Sequence, residues 1–406
     1  MTGTYRIARL GHRGDGVTEC GLFAPRTLPG EEVTGTLDGS RLTDIRILTP
    51  SPSRVSPPCR HYAGCGGCQV MHATDEVVAD WKRQIVIDAL AARGLEAEVA
   101  RTETSPPRSR RRATFAVRRT KKGALAGFHT RASDTIVAIP DCQVLTDRLR
   151  AALPMVEALG AVLCSRKGEA AVTVTDSVEG LDVFVSGGKV LDGPTRAELG
   201  ALAGRFDLAR LTCGDEPVAA ARPPYQTFGT VRVVPPPGAF LQATAHGESA
   251  LVEAVREGIG DAARVVDLFA GSGTFTFPLA SGAAVHAVEG DRAMMAAVDA
   301  AWRKTDGLKR VTTETRDLFR RPLEPDELQG FDAAVIDPPR AGAEAQIARL
   351  AEARLPRIAH VSCNPATFAR DAATLAAAGY AMGPVRVVDQ FRWSAHVELA
   401  ATFTLA

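Results

Sequence analysis

The chain predicts an α/β protein of more than one domain, and three features carry that prediction. From about residue 247 onward, strand-like apolar runs alternate with helical ones, the pattern of a doubly wound, mostly parallel sheet. One strand-to-helix junction, "VVDLFAGSGTF" (265–275), is glycine-rich, which lets backbone approach a ligand at the start of the next helix. The first fifty residues read instead as short strands punctuated by Gly, Pro and Asp, the mark of a small barrel of the oligonucleotide-binding sort.

Composition narrows the class. The 406 residues are 45% hydrophobic and 23% charged, an ordinary globular make-up with room for two or three cores. No apolar run nears about eighteen residues and no cleavable leader pattern is present, so neither a membrane span nor export is expected, and a cytoplasmic setting is. Net charge is +1 and says little about partners. Its distribution says more, because "RSRRRATFAVRRTKK" (108–122) carries eight Lys or Arg and no acid. Such a run is a solvated face or a nucleic-acid patch.

Along the chain, "YRIARLGHRGDGV", "CGLFAP", "EEVTGTLDG" and "RLTDIRIL" supply the barrel over 1–50. The Pro/Ser stretch "TPSPSRVSPP" (49–58) reads as a linker. In "TDEVVADWKRQIVIDALAARG" (74–94), Val78, Trp81, Ile85 and Leu90 recur at roughly helical spacing, with Asp75 to cap the start and Gly94 to end it. Residues 51–240 form the expected central domain, alternating strands such as "AAVTVTD" and "LDVFVS" with the helical "AELGALAGRF" in no pattern that names a fold. Residues 241–406 hold the helix "GESALVEAVREGI" and the strands "ARVVDLF", "AVHAVEGD", "FDAAVIDPPR", "RIAHVSCNP", "MGPVRVVDQF" and "HVELAATFTLA", the late ones fitting an antiparallel closing edge.

The glycine loop alone is weak, since a tight turn also explains it. No Gly-Lys-Ser/Thr follows and the third Rossmann glycine is missing, so a P-loop is excluded. The acids strengthen the reading. Glu289 ends the next strand 22 residues after Asp267, where a carboxylate meets ribose hydroxyls in such folds, and Asp337 ends a further strand on the same edge. Three acids around one crevice suit a cationic, ribose-bearing ligand such as S-adenosylmethionine better than they suit NAD.

Cys363, in "HVSCNPATFARD" (360–371), directly precedes Asn-Pro. A lone thiol is more often a buried hydrophobe than a nucleophile. Beside a methyl-donor loop the odds reverse. Carbon 5 of a pyrimidine becomes nucleophilic only when a thiolate adds to C6, and a base must then take the C5 proton. "SAHVELA" places His396 and Glu398 two apart on a strand, hence on one face, as candidate bases.

The cysteines are unevenly placed. In "CRHYAGCGGCQ", five residues separate Cys59 from Cys65 and two separate Cys65 from Cys68. A cytosolic cluster of this kind points to metal or to catalysis rather than to disulfides. Spacing leaves zinc and an iron–sulfur cluster open, with a zinc ribbon disfavoured because no second close pair follows. Cys20, Cys164 and Cys213 read as buried thiols without function.

Taken together, "SCNPATFARD", "DLFAGSGTFTFPLA", "DPPRAG" and the terminal "HVE" resemble the RNA 5-methyluridine methyltransferase family over essentially the whole chain. The resemblance implies a Rossmann-like class I S-adenosylmethionine methyltransferase domain, a central RNA-binding domain and an N-terminal TRAM barrel. It implies Cys363 as nucleophile and Glu398 as the base for the C5 proton. Donor contacts carry over onto Gln242, Phe269, Thr274, Glu289, Asp317 and Asp337. The chain departs from the family pattern at Thr244, Thr274 and Asp317, where Asn is common, which touches contacts to the donor's amino-acid tail and adenine. The family's iron–sulfur branch matches Cys59, Cys65, Cys68 and, in "IPDCQV", Cys142, which implies a [4Fe-4S] cluster with a structural role. The implied substrate is large-subunit ribosomal RNA, with the T-loop of transfer RNA as the alternative, for an enzyme expected to be a monomer. The basic run 108–122 and the barrel are then the candidate RNA surfaces.

Overall fold

The structure, a computed structural model, describes residues 2–405. Strands Thr2–Leu10, Gly16–Thr18, Phe23–Ala24, Glu32–Asp38 and Arg41–Thr49 close into the expected five-stranded barrel. Ile7, Ala24, Val33 and Leu42 fill it. The Pro/Ser stretch after it is no free tether. Arg54 grips the buried Glu31 carboxylate through Nε at 2.6 Å and Nη2 at 2.9 Å, Ser51 N donates to the same group at 3.1 Å, and Val55 N donates to His72 O at 2.9 Å. Cys20 is exposed beside the Thr18 hydroxyl, against the expectation of a buried thiol, because it sits on the turn after a three-residue strand. Cys164 and Cys213 are buried.

The central segment builds a seven-stranded sheet in the order Glu216–Ala220, Arg210–Cys213, Gly180–Gly187, Glu169–Ser177, Arg112–Thr120, Gly123–His129, Ile136–Val137. Helices Leu153–Leu163 and Gly193–Arg205 pack on it. The sequence hid the first of these, whose residues "LPMVEALGAVL" are apolar nearly all round and show no stripe.

The predicted helix forms over Asp75–Ala91, and Gly94 takes a left-handed φ of 68° just past its end. Its cap is Thr74 rather than Asp75, which is the first helical residue and pairs instead with Arg392. Val78, Trp81 and Leu90 are buried and Ile85 half-buried, so the apolar stripe was read correctly. This helix and the short strand Glu103–Thr104 precede the central sheet in sequence yet pack on the C-terminal one, crossing the expected division into consecutive segments.

The C-terminal sheet has nine strands. Five run parallel in the order Val311–Thr315, Ala284–Glu289, Arg264–Leu268, Ala333–Ile336, Arg357–Ser362. Glu398–Leu405 then pairs antiparallel with Arg357–Ser362 and with Arg386–Asp389, and Glu103–Thr104 closes that side. The expected antiparallel edge is thus present. Helices Ala245–Ile259, Arg292–Trp302, Glu344–Ala353 and Pro365–Ala377 cover the sheet over two large apolar clusters. Strand order reverses beside Arg264–Leu268, and a doubly wound sheet opens its ligand crevice at the carboxyl ends on either side of such a reversal. Among the described residues no helix is long and apolar enough to cross a membrane.

One backbone contact in the central sheet is unforgiving. A Cβ on Gly127 would fall 1.8 Å from the carbonyl oxygen of Val137, the residue paired with Phe128. Gly127→Ala should therefore cost about 1–3 kcal/mol and lower the melting temperature; an unchanged thermal melt would contradict this strand pairing.

Candidate active site

The crevice is furnished by strand ends. Arg264–Leu268 delivers Asp267 fully buried, with its Oδ2 accepting from Thr276 Oγ1 at 2.6 Å and its Oδ1 left without a protein partner. Burial pushes this carboxyl up to about 7, against the Thr276 hydrogen bonds and with help from Glu289. Phe269 follows in a left-handed conformation (φ 61°), uncommon for a bulky residue, and its ring lies 5.3 Å from that of the exposed Phe319. Glu289 ends the neighbouring strand and bridges two loops, accepting from Gly271 N and Asp291 N, each at 3.1 Å. Thr274 stands half-buried in the glycine loop. Asp317 lies just past Val311–Thr315 and is exposed, its Oδ1 occupied by Phe319 N at 3.0 Å and Arg320 N at 3.3 Å.

On the other side of the reversal, Asp337 follows Ala333–Ile336. It keeps some exposure to the cleft, yet burial pushes its carboxyl up to about 7, with Asp267 adding to the shift. Gln242 spans from it to a residue the sequence reading missed. Gln242 Nε2 donates to Asp337 Oδ2 at 3.3 Å, and Gln242 Oε1 accepts from Gln390 Nε2 at 2.5 Å. Gln390 Oε1 accepts from Ala243 N at 2.7 Å, and the same side chain is near enough to the Glu398 carboxyl to lower its pKa. No motif announced Gln390, because its role exists only once segments 148 positions apart are folded together.

Cys363 and Glu398 meet through sheet register. Val361 pairs with Ala400 and Ser362 with Leu399, the last rung of the ladder, so Cys363, one residue past its strand, comes beside Glu398, the first residue of the partner strand. Their charges sense each other accordingly. Burial pushes the Cys363 thiol up to about 12, with Glu398 and then Asp337 adding and Arg340 opposing. Burial pushes Glu398 up to about 8, with Asp337 adding, while Gln390, Arg340 and Lys82 oppose. His396 is not on the strand expected of it. It precedes the strand, is exposed, and sets its ring edge-on to Phe391 at 5.4 Å, because the strand begins only at Glu398.

The Asn-Pro after Cys363 starts a helix. Asn364 caps Pro365–Ala377 by accepting from Ala366 N at 3.1 Å, and proline occupies the first turn, where its missing N–H is harmless. Asn364 Nδ2 also donates to Arg340 O at 2.9 Å, tying the Cys363 turn to the loop after Asp337. In front of Cys363 opens a cavity of about 450 Å³, walled by Arg340, Asn364 and His396 and, from the barrel, Arg9 and His12.

Part of the basic run also has a structural job. Arg111 N donates to Ala243 O at 3.0 Å, Arg111 Nε to Gln242 O at 3.2 Å, and Arg112 Nη2 to Gly238 O at 3.0 Å; Arg111 also pairs with Glu248. These arginines hold the loop that carries Gln242. Arg108, Arg119, Lys121 and Lys122 remain exposed.

Cys59, Cys65, Cys68 and Cys142 all line one cavity of about 270 Å³, together with His61 and Arg110. The four are free thiols, and burial pushes those of Cys65, Cys68 and Cys142 up, with neighbouring cysteines adding. Among the described residues no three ligating side chains stand close enough to grip a single ion. The donor set, four thiols around a shared void, nonetheless fits a thiolate-held group larger than one ion.

Known proteins agree with this geometry. Residues 236–404 match the tRNA (Uracil-5-)-methyltransferase family. An RNA methyltransferase of Rhizobium meliloti is 46% identical across 99% of this chain and 99% of its own. The 23S rRNA (uracil(1939)-C(5))-methyltransferase RlmD of Halomonas elongata is 33% identical across 97% of this chain and 87% of its own. Pyrococcus abyssi tRNA (uracil-54, C5)-methyltransferase, solved with S-adenosyl-L-homocysteine, is 22% identical and superposes over 99% of both chains with a TM-score of 0.78, which marks a shared class I methyltransferase fold. The chain belongs to the RNA uracil-C5 methyltransferase family.

Proposed function

We propose that the protein transfers a methyl group from S-adenosylmethionine to C5 of a uridine in large-subunit ribosomal RNA, through a covalent bond between Cys363 and C6 of the base. The observation that carries this is the sheet register that brings the turn at Cys363 beside the start of the Glu398 strand, with Asp337 ending a nearby strand. The 33% identity to the ribosomal RNA enzyme of Halomonas elongata supports the choice of RNA. The donor supplies its methyl on a sulfonium sulfur. Gln242, Phe269, Thr274, Glu289, Asp317 and Asp337 are its contacts in this reading, and the unpartnered Asp267 Oδ1 gives the crevice an acceptor to spare.

Cys363 Sγ bonds to C6 and the electron pair moves to C5, which takes the methyl carbon from sulfur. Glu398 then removes the C5 proton, the C5–C6 double bond re-forms and Sγ leaves. The uridine enters flipped out of its loop, through the cavity walled by Arg9, His12 and Arg340. A cationic donor beside Asp337 lowers the proton affinity of Cys363 and Glu398, both of which Asp337 raises. Cys59, Cys65, Cys68 and Cys142 would hold a [4Fe-4S] cluster, which staples the loop 59–72 to the central sheet and takes no part in carbon methylation.

Four outcomes test this reading. Cys363→Ala should abolish methylation of a ribosomal RNA transcript by labelled donor, while Glu398→Gln should transfer methyl but leave a protein–RNA adduct visible on a denaturing gel. An active alanine variant would point instead to exocyclic-amine methylation at Asp337-Pro338-Pro339, and label on transfer RNA alone would move the substrate to the T-loop. The pH profile has a fixed sign. Glu398 must be ionised to act as base and its carboxyl is pushed up to about 8, so turnover should rise up to roughly tenfold per pH unit below that value. A rate that falls from pH 6 to pH 8 contradicts the base. Protein purified without oxygen should be brown and absorb near ~400 nm, and Cys68→Ser should lose the colour; colourless protein holding zinc refutes the cluster.

A further inference from the structure

Resting on the covalent reading above, we propose that Lys82 is a positioning residue for the base: its ammonium pins the segment 389–396 so that Glu398 stands beside Cys363. Lys82 is fully buried on the helix Asp75–Ala91, far from Glu398 in sequence. Its Nζ donates to Asp389 Oδ1 at 2.5 Å, to His396 O at 2.7 Å and to Phe391 O at 3.2 Å. An ammonium has three hydrogens, and all three are used.

What those bonds join is the argument. Asp389 ends the strand whose Val388 pairs with Glu398 on the side away from Cys363. His396 is two residues before Glu398, and Phe391 opens the turn between them. One point charge therefore gathers the start of the turn, its end, and the strand that flanks the base. The turn itself is poorly suited to hold that shape alone, since Trp393 at its tip is left-handed (φ 62°). Gln390, which acts on Glu398 and bonds to Gln242, sits between two of the pinned residues. A leucine at 82 would fill this interior without the cost of burying an ion. The charge is retained where it fixes geometry.

The ammonium also acts on the base through space. Glu398 is faced by Asp337, which raises its proton affinity, and by Gln390, Arg340 and Lys82, which lower it; Cys363 lies beside it.

The test compares wild type, Lys82→Met, Asp389→Asn and Glu398→Gln on one target RNA transcript under single turnover, scoring methyl transfer, adduct lifetime by denaturing gel, and the pH at half-maximal adduct resolution. Lys82→Met should transfer methyl in the first turnover, hold the adduct at least tenfold longer, and need a higher pH to resolve it. Asp389→Asn weakens one of the three tethers and should likewise lengthen the adduct lifetime. A Lys82→Met enzyme with wild-type adduct lifetime and midpoint overturns the proposal. So does one that loses methyl transfer and adduct resolution in equal proportion at an unshifted midpoint, which is what a merely structural lysine would give. Should Lys82→Met fail to fold, the Asp389→Asn adduct lifetime decides, and a wild-type value is fatal. Glu398→Gln separates the two readings. If it traps adduct and the Lys82 prediction fails, only Lys82 is wrong; if it traps none, the covalent reading falls and takes this proposal with it.

Discussion

The rung between Ser362 and Leu399 is the constraint on which the site depends. A sheet has a side-chain period of two, so a slip of one residue would turn Glu398 away from Cys363 and into the core. Burial on both faces blocks that slip, because Val361, Leu399 and Phe403 are all fully enclosed. The chain then exits the sheet on both sides of the rung under separate control. Asn364 caps a helix on one side while its amide holds the Arg340 carbonyl, and Lys82 gathers the turn on the other.

Charge in this protein is used more for construction than its surface distribution suggests. Of the basic run 108–122, Arg111 and Arg112 hold the Gln242 loop from behind. Arg110 places its guanidinium 5.5 Å from the Phe391 ring while also lining the cysteine cavity. A run that looks like one electrostatic feature in sequence is therefore divided. Its interior arginines connect the central sheet to the donor side of the crevice, and its far end, with Arg119, Lys121 and Lys122, faces solvent. Position along the strand Arg112–Thr120 causes the split, since its start lies against the loop that carries Gln242 and its far end reaches solvent.

How much of this was legible follows from the range of the interactions involved. Features set by neighbours along the chain were readable: the glycine loop, the strand-end acids, the barrel, and the stripe of Val78, Trp81 and Leu90. The sequence pairs Cys363 with Glu398 because carbon methylation calls for a thiol and a base together, and the fold brings the two near one another, while His396 falls outside the strand expected of it because that strand starts late. Gln390 and Lys82 were not readable. Both look like ordinary polar residues, and each acquires its role from partners 148 and 307 positions away. The helix Leu153–Leu163 escaped for the opposite reason, being apolar on every side and so without a period to detect. The Cys59 to Cys68 spacing predicted a shared site, and the fold brings Cys142 to the same cavity.

The crevice is poor in positive charge by design of its burial. Asp267 and Asp337 are pushed up to about 7 and Glu398 to about 8, each with burial as the first cause and another acid adding to it. Ionising such groups weakens the folded state: an unfolded chain releases these protons near pH 4, the folded chain only near neutrality, so stability is lost as pH rises between the two. A cation brought into the crevice reverses part of that loss, and it does so most strongly next to Asp337, the acid that acts on both Cys363 and Glu398. Lys82 cannot serve this purpose, because its ammonium is already neutralised by Asp389 and turned toward the back of the turn. In the proposed reaction the acids receive their cation from the donor, and binding a sulfonium and activating the thiol are one electrostatic event.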